Sequence, residues 1–288
     1  SFHSLSRERT DMLLQGKKLL ITGVLTPQSL AFGVAEHAIA QGAEVILTGF
    51  GRAKSLTERS AKRLKPGTEV LELDVTNPAH FPALTEALRQ KWGRVDGVLH
   101  AIAYAPEDAL GGNFLNTPWE SAQTAFRIST FSVKELAVAC APLMTQGGSI
   151  VALDFDNRQA WPIYDWMGVC KAAMEATVRY LARDLGPRGI RVNALAAGPL
   201  ATVAAKGIPG FKALAQYWGK QAPLGWSDKD SHDHVAKTAC ALLSDWLSST
   251  TGEMIHVDGG YHAVGAPPVE TVEAPPEGVP ANPTPKEG

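Results

Sequence analysis

The chain holds 288 residues, 45% apolar and 19% charged, which is enough apolar material for a sizeable core. A net charge of −2, from 27 basic and 29 acidic residues, draws it toward neither nucleic acid nor an anionic membrane. No apolar run approaches the roughly eighteen residues of a membrane-spanning helix, and residues 1–15 lack the apolar stretch of a signal peptide. Cys140, Cys170 and Cys240 are too scattered for a disulfide framework or a metal site, so reduced, buried thiols in a cytoplasmic protein are expected.

In chain order, residues 1–11 read as an extension before the fold begins near Met12. Apolar runs at 17–22, 43–49, 69–75, 95–103, 148–155, 190–196 and 253–259 predict strands, several of them near-continuous in Val, Ile and Leu. Such runs suit parallel strands buried on both faces. Amphipathic segments near 29–41, 52–65, 78–92, 118–145, 162–186 and 231–246 predict the helices between them. The alternation predicts an α/β fold, a single Rossmann-type domain over 12–265 whose seven-stranded parallel sheet carries helices on both faces.

Two regions break the rhythm. Residues 199–226 form a long insertion with Phe211, Tyr217 and Trp218, expected to cover a ligand at that end of the sheet. Residues 266–288 hold seven prolines, four glutamates and no aromatic residue, and are expected to be a disordered tail.

After the first strand runs Gly23-Val-Leu-Thr-Pro-Gln-Ser29-Leu30-Ala31, with one glycine rather than a Gly-x-Gly-x-x-Gly pattern. It reads either as an ordinary strand-to-helix turn or as a pyrophosphate cradle. In the second case Gly23 allows close approach, and the helix start and the Ser29 hydroxyl supply donors. Asp74, at the end of the third strand, is either a turn residue or an acceptor for an adenine amino group. The acid that often bonds a ribose about 20 residues after the first glycine is missing. Thr48-Gly49-Phe50 stand there, with Arg52 and Lys54 close by. Spacing alone therefore leaves NADH and NADPH open, with a mild lean to NADPH.

Tyr164 and Lys171 are seven residues apart, about two helical turns, so one helix face can present both. The ammonium would then lower the phenol's pKa and hold a cofactor ribose. The alternative is a half-buried tyrosine and a solvated lysine.

Over roughly residues 16–262 the chain resembles the short-chain dehydrogenase/reductase superfamily and, within it, the enoyl-acyl-carrier-protein reductases. The stretches ITGVLTPQSLAFGVA, LELDV, DGVLHAIAYAP, GGSIVALDFD, RVNALAAGPLAT and TGEMIHVDGG carry the likeness. Asp154-Phe155-Asp156, nine residues before the tyrosine, is similar to the actinobacterial, isoniazid-target type, whereas most bacterial relatives have tyrosine at Phe155. A catalytic serine of ordinary superfamily members is absent, which speaks against a ketoacyl or carbonyl reductase. Retention of Tyr164 and Lys171 speaks against a silent dinucleotide sensor. Ala201 stands where a basic residue is common, and Ala101 and Ala103 where Ser and Gly are usual. The loop from Pro199 to Trp226 has the general bacterial length, so chain-length preference stays open.

The resemblance implies NADH-dependent reduction of the trans-2 double bond of an enoyl thioester on acyl carrier protein, in type II fatty-acid synthesis, by a homotetramer. It implies that Tyr164 bonds the thioester oxygen, Lys171 holds the nicotinamide ribose and Phe155 walls the reacting centre. Gly23, Ser29 and Leu30 would take the pyrophosphate side, Phe50, Asp74 and Val75 the adenosine, and Ile102, Ala103 and Leu200 the rest of the dinucleotide. Ala105 would line the acyl site. On this reading Phe50 fills the space of a 2′-phosphate and the neighbouring basic side chains face solvent.

Overall fold

The computed structural model describes residues 12–202, 205 and 210–265. The expected N-terminal extension, the Pro/Glu-rich tail and part of the 199–226 insertion lie outside the described residues.

Seven strands form: β1 (Lys18–Ile21), β2 (Glu44–Gly49), β3 (Glu69–Glu72), β4 (Gly97–His100), β5 (Gly148–Asp154), β6 (Ile190–Ala197) and β7 (Met254–Val257). They make one sheet in the order β3-β2-β1-β4-β5-β6-β7, and every neighbouring pair is parallel. Among the described residues eight α-helices accompany them: α1 (Leu30–Ala40), α2 (Lys54–Leu64), α3 (His80–Trp92), α4 (Trp119–Phe126), α5 (Ser132–Cys140), α6 (Asp165–Leu185), α7 (Phe211–Gln221) and α8 (His232–Leu243).

The apolar runs fold this way because successive strand residues point to opposite faces. Leu20, Val98, Ile150 and Val192 bury one face against α3, α5 and α6. Leu19, Ile21, Leu99, Val151 and Leu195 bury the other against α1 and α8. Each fully buried Leu, Ile or Val contributes about 1.5–3 kcal/mol of transfer free energy, and the buried positions of the central strands are mostly apolar. The three cysteines are buried free thiols.

The strands are shorter than their apolar runs. β3 stops at Glu72 because its partner β2 ends opposite it, at Gly49. Leu73, Asp74 and Val75 therefore leave the sheet. β4 likewise ends at His100, and residues 101–105 turn away from it. These overhangs at the carboxyl ends of the strands form the walls of the cleft described next.

The long helix expected over 118–145 is broken by a π-helical turn at Arg127–Phe131. Its side chains reach the site from below. Thr130 Oγ1 donates to Cys170 O at 2.7 Å. Ser129 Oγ accepts from Tyr104 N–H and donates to Tyr104 O, both at 2.9 Å. One turn thus ties the segment after β4 and the middle of α6 to a common base.

Candidate functional site

Strand order reverses between β1 and β4, and in open α/β sheets ligands bind outside the carboxyl ends of the strands at that reversal. Two adjoining cavities lie there, of roughly 600 and 420 Å³. Leu30, Ala103, Tyr104, Leu153 and Thr202 line both, so they form one continuous cleft.

The larger cavity is built on the turn after β1. Gly23 has φ +80°, and a Cβ there would lie 2.0 Å from Ala101 O, so only glycine lets the two backbones pass. Ser29 caps α1 and organises the turn, its Oγ accepting from Leu25 N–H and Thr26 N–H at 3.0 Å each. Its hydroxyl hydrogen stays free to donate, and the leading N–H groups of α1, ahead of Phe32 N–H which donates to Ser29 O at 2.9 Å, have no intrahelical acceptor. Phe50, Asp74, Val75 and Ile102 line the far end of the same cavity. Asp74 Oδ1 is taken by Thr76, whose N–H and hydroxyl donate to it at 2.9 and 2.7 Å. Its second oxygen remains an acceptor toward the cavity. A groove with a tight glycine approach, a helix start, one available carboxylate oxygen and flat apolar walls fits a dinucleotide.

The basic residues beside this groove are placed apart from it. Lys54 Nζ pairs with Glu72 Oε2 at 3.1 Å, and Glu72 Oε1 accepts from Gly51 N–H at 3.2 Å. Arg52 is exposed, and neither it nor Lys54 lines the cavity. The sequence-level lean toward NADPH has no support in this arrangement.

The smaller cavity is apolar, with Ala105, Leu110, Phe155, Met167, Leu200 and Phe211 among its walls. Leu200, expected on the dinucleotide, lines this cavity together with Lys171. Tyr164 and Lys171 both line it, as the spacing of seven leads one to expect, with Tyr164 at the N-cap position rather than inside the helix. α6 begins at Asp165, and Tyr164 sits just before it, between Ile163 at φ +65° and Asp165 at φ +44°. Each such non-glycine conformation costs on the order of 1–3 kcal/mol. The phenol ring lies edge-on to Phe155, with centroids 5.1 Å apart.

The expected lowering of the phenol pKa is also overturned. Burial pushes the Tyr164 phenol above its ordinary value, and the Asp154 carboxyl adds to the rise. Tyr164 therefore keeps its proton and is a hydrogen-bond donor. Lys171 is turned elsewhere: Nζ donates to Leu153 O at 2.8 Å and lies 4.0 Å from Asp154 Oδ1. Burial draws its ammonium below the ordinary lysine value, and Asp154 opposes that. Burial likewise raises the Asp154 carboxyl to about 7, against the Lys171 charge. Asp154 Oδ1 accepts from Phe155 N–H at 2.8 Å, and Oδ2 is buried without a partner.

Beneath the cleft, His100 is buried. Ser132 Oγ donates to Ile128 O at 2.6 Å, so it accepts from His100 Nε2–H at 2.7 Å. Burial lowers the imidazole pKa to about 3, with the Lys171 charge adding to the effect, and keeps it neutral.

Of the aromatic residues expected to cover the acyl chain, only Phe211 lines the cavity, joined by Leu214 of α7. Trp218 is 0% exposed. It stacks on Tyr261 at 3.9 Å, tilts against Phe155 and Trp161, and donates from Nε1 to Asp258 O at 2.8 Å. Tyr217 is half-exposed and outside the cavity. Sequence reasoning missed Leu110, Met167, Tyr104 and Thr202. Met167 carried a signal, three residues after Tyr164 on a helix face; the loop residues carried none.

Comparisons with known proteins agree with this geometry. Residues 23–262 match the enoyl-(acyl carrier protein) reductase family. The NADH-dependent enoyl-acyl-carrier-protein reductase of Mycolicibacterium smegmatis is 44% identical over 262 residues, covering 86% of this chain and 97% of that protein. A protein of the same name from Rhizobium meliloti is 41% identical, covering 91% of this chain and 95% of its own. One from Bacillus cereus is 40% identical, covering 88% and 99%.

Proposed function

Since the chain belongs to the enoyl-acyl-carrier-protein reductase family within the short-chain dehydrogenases/reductases, we propose that it reduces the trans-2 double bond of an enoyl thioester on acyl carrier protein with NADH, in type II fatty-acid synthesis. The observation that carries the reading is a protonated phenol, Tyr164, lining an apolar cavity continuous with the dinucleotide groove.

Held by these residues, NADH would supply hydride to the β-carbon. Tyr164 donates to the thioester oxygen, and that bond strengthens as negative charge gathers there. A phenolate would have no proton to offer, so the raised pKa serves the chemistry. Lys171 spends one N–H on Leu153 O and has two left for ribose hydroxyls. Phe155 sets the phenol plane by its edge-on contact and excludes water from the reacting centre. Gly23, Ser29 and Leu30 hold the pyrophosphate, Phe50, Asp74 and Val75 the adenosine, and Ile102 and Ala103 the middle of the dinucleotide. Leu200, which lines the same cavity as Lys171, serves the nicotinamide end of the dinucleotide, and Ala105 serves the acyl cavity.

Residues 12–265 act as one reductase domain, with 199–226 as its substrate-covering segment. The assembly is a homotetramer working in the cytoplasm. Exposed Trp119, Phe126, Phe131 and Val138 along α4–α5, with Val169 and Tyr180 on α6, support association, because a monomer would leave this apolar area wet. Among the described residues no helix is long and apolar enough to cross a membrane.

Mixing protein, NADH and a crotonyl thioester, and following the reduced nicotinamide by absorbance, tests the reaction; consumption with an acetoacetyl thioester instead would overturn it. NADH is expected to give the higher kcat/KM than NADPH, and Arg52→Ala to leave that preference unchanged. A preference for NADPH that Arg52→Ala erases would overturn the cofactor assignment.

A further inference from the structure

We propose that Asp165 is a positioning residue that acts through Tyr164, its carboxylate clamping the strained turn that aims the phenol into the acyl cavity. The inference rests on the reading of Tyr164 as donor to the thioester oxygen.

Ile163 at φ +65° and Asp165 at φ +44° flank Tyr164. A β-branched residue rarely adopts such a backbone, and local preference would relax it. Something outside the turn must hold it, and the contacts converge on one loop. Gly111 N–H donates to Ile163 O at 2.9 Å. Gly112 N–H and Asn113 N–H both donate to Asp165 Oδ2, at 2.7 and 2.9 Å. Trp166 stacks on Phe114 at 5.1 Å and donates from Nε1 to Phe114 O at 3.2 Å. Residues 163, 165 and 166 thus all reach the 111–114 loop, Ile163 through its carbonyl, while Tyr164 makes no hydrogen bond to it and lines the acyl cavity beside Ile163.

That loop is itself anchored. Asn113 Nδ2 and Thr117 Oγ1 donate to Asp108 O at 2.7 and 2.8 Å. It also begins beside Leu110, which packs with Tyr164 and Met167 in one apolar cluster. Gly111 and Gly112, at φ +76° and +89°, place consecutive N–H groups where one carboxylate oxygen meets two of them. An ionised acceptor makes such bonds stronger than a neutral one. Asp165 therefore couples the hydrogen-bond donor to a wall of the acyl cavity.

Three variants separate the parts of this role. Asp165→Asn keeps an acceptor and tolerates positive φ. Asp165→Gly tolerates positive φ and loses the acceptor. The third adds Asp165→Gly to Tyr164→Phe. With NADH and a crotonyl thioester, Asp165→Asn should keep at least half of wild-type kcat. Asp165→Gly should lower kcat and kcat/KM together by about 10- to 100-fold, since small misplacement of a catalytic group has effects of that order. Its NADH affinity should stay within about twofold. In the Tyr164→Phe background the same glycine should cost less than about twofold, because the two residues act as a unit.

Wild-type turnover in Asp165→Gly, or an equal loss in both backgrounds, would overturn the proposal. Wild-type turnover in Tyr164→Phe alone would overturn the reading of Tyr164 and this inference with it. Should Asp165→Gly fail to fold, amide exchange on the wild-type protein decides. Gly112 is exposed, yet its amide and that of Asn113 should exchange slowly; free exchange of both would overturn the clamp.

Discussion

The two halves of the cleft hold unusual backbone in opposite ways. In the nucleotide half the demanding position is Gly23, where φ +80° costs little because the residue has no Cβ. In the acyl half the demanding positions are Ile163 and Asp165, where the side chains themselves resist the conformation. The first half is secured by residue type and the second by tertiary contact. The nucleotide groove is therefore expected to persist whatever happens around it, whereas the acyl half depends on the loop at 111–114 and on Phe155.

The sharpest way to separate the halves is Tyr164→Phe. It keeps the ring and its contact with Phe155 and removes the donor, so turnover on an enoyl thioester should fall about 10²–10³-fold. NADH affinity by fluorescence titration should be unchanged. Loss of affinity as well would show that the halves are not independent.

Gly23→Ala strikes the other half. The new Cβ would meet Ala101 O at 2.0 Å in a left-handed backbone, so the turn must shift. A cost of about 1–3 kcal/mol corresponds to roughly 5- to 150-fold weaker NADH binding. Retained affinity with lost turnover would break the comparison.

The effect with no bearing on turnover belongs to the floor the halves share. His100 titrates near 6.5 when unfolded and at about 3 when folded, because burial disfavours its charge. Between those values the unfolded chain binds a proton that the folded chain does not, so stability is lost as pH falls from 6.5 toward 3. The slope attributable to His100 is up to ~1.4 kcal/mol per pH unit. Denaturant melts from pH 4 to 8 should show the slope reduced in His100→Gln. Parallel curves for variant and wild type would mean that the imidazole is charged when folded.

The same division explains what the sequence discloses. All seven strands were legible from their apolar runs, most plainly the central ones whose burial on both faces favours Val, Ile and Leu, and the parallel sheet follows from their alternation with helices. Strand ends were not legible in those runs: Leu73 and Val75 are as apolar as β3 itself, and only the length of β2 decides where pairing stops. Gly23 and Asp74 were legible as residue types suited to close approach and to accepting hydrogens. The setting of Tyr164 was not. A spacing of seven predicts a shared helix face, but positive φ on both sides of the tyrosine depends on residues some fifty positions away. Nor does composition mark the extra residue of the π turn at Arg127–Phe131, whose stability lies in the bonds to Tyr104 and Cys170.

The indole cluster behind Phe155 has an optical consequence. Trp161 and Trp218, 5.0 Å apart and both buried, stand one ring away from the cavity wall. Their emission overlaps the absorption of a reduced nicotinamide, so NADH in the cleft becomes their energy acceptor. Trp246, largely exposed and outside that apolar area, is open to an aqueous quencher such as iodide that the buried pair would not meet. Sensitised nicotinamide emission excited through the indoles then reports cofactor arrival without any label and distinguishes NADH from NAD⁺ in the same cuvette.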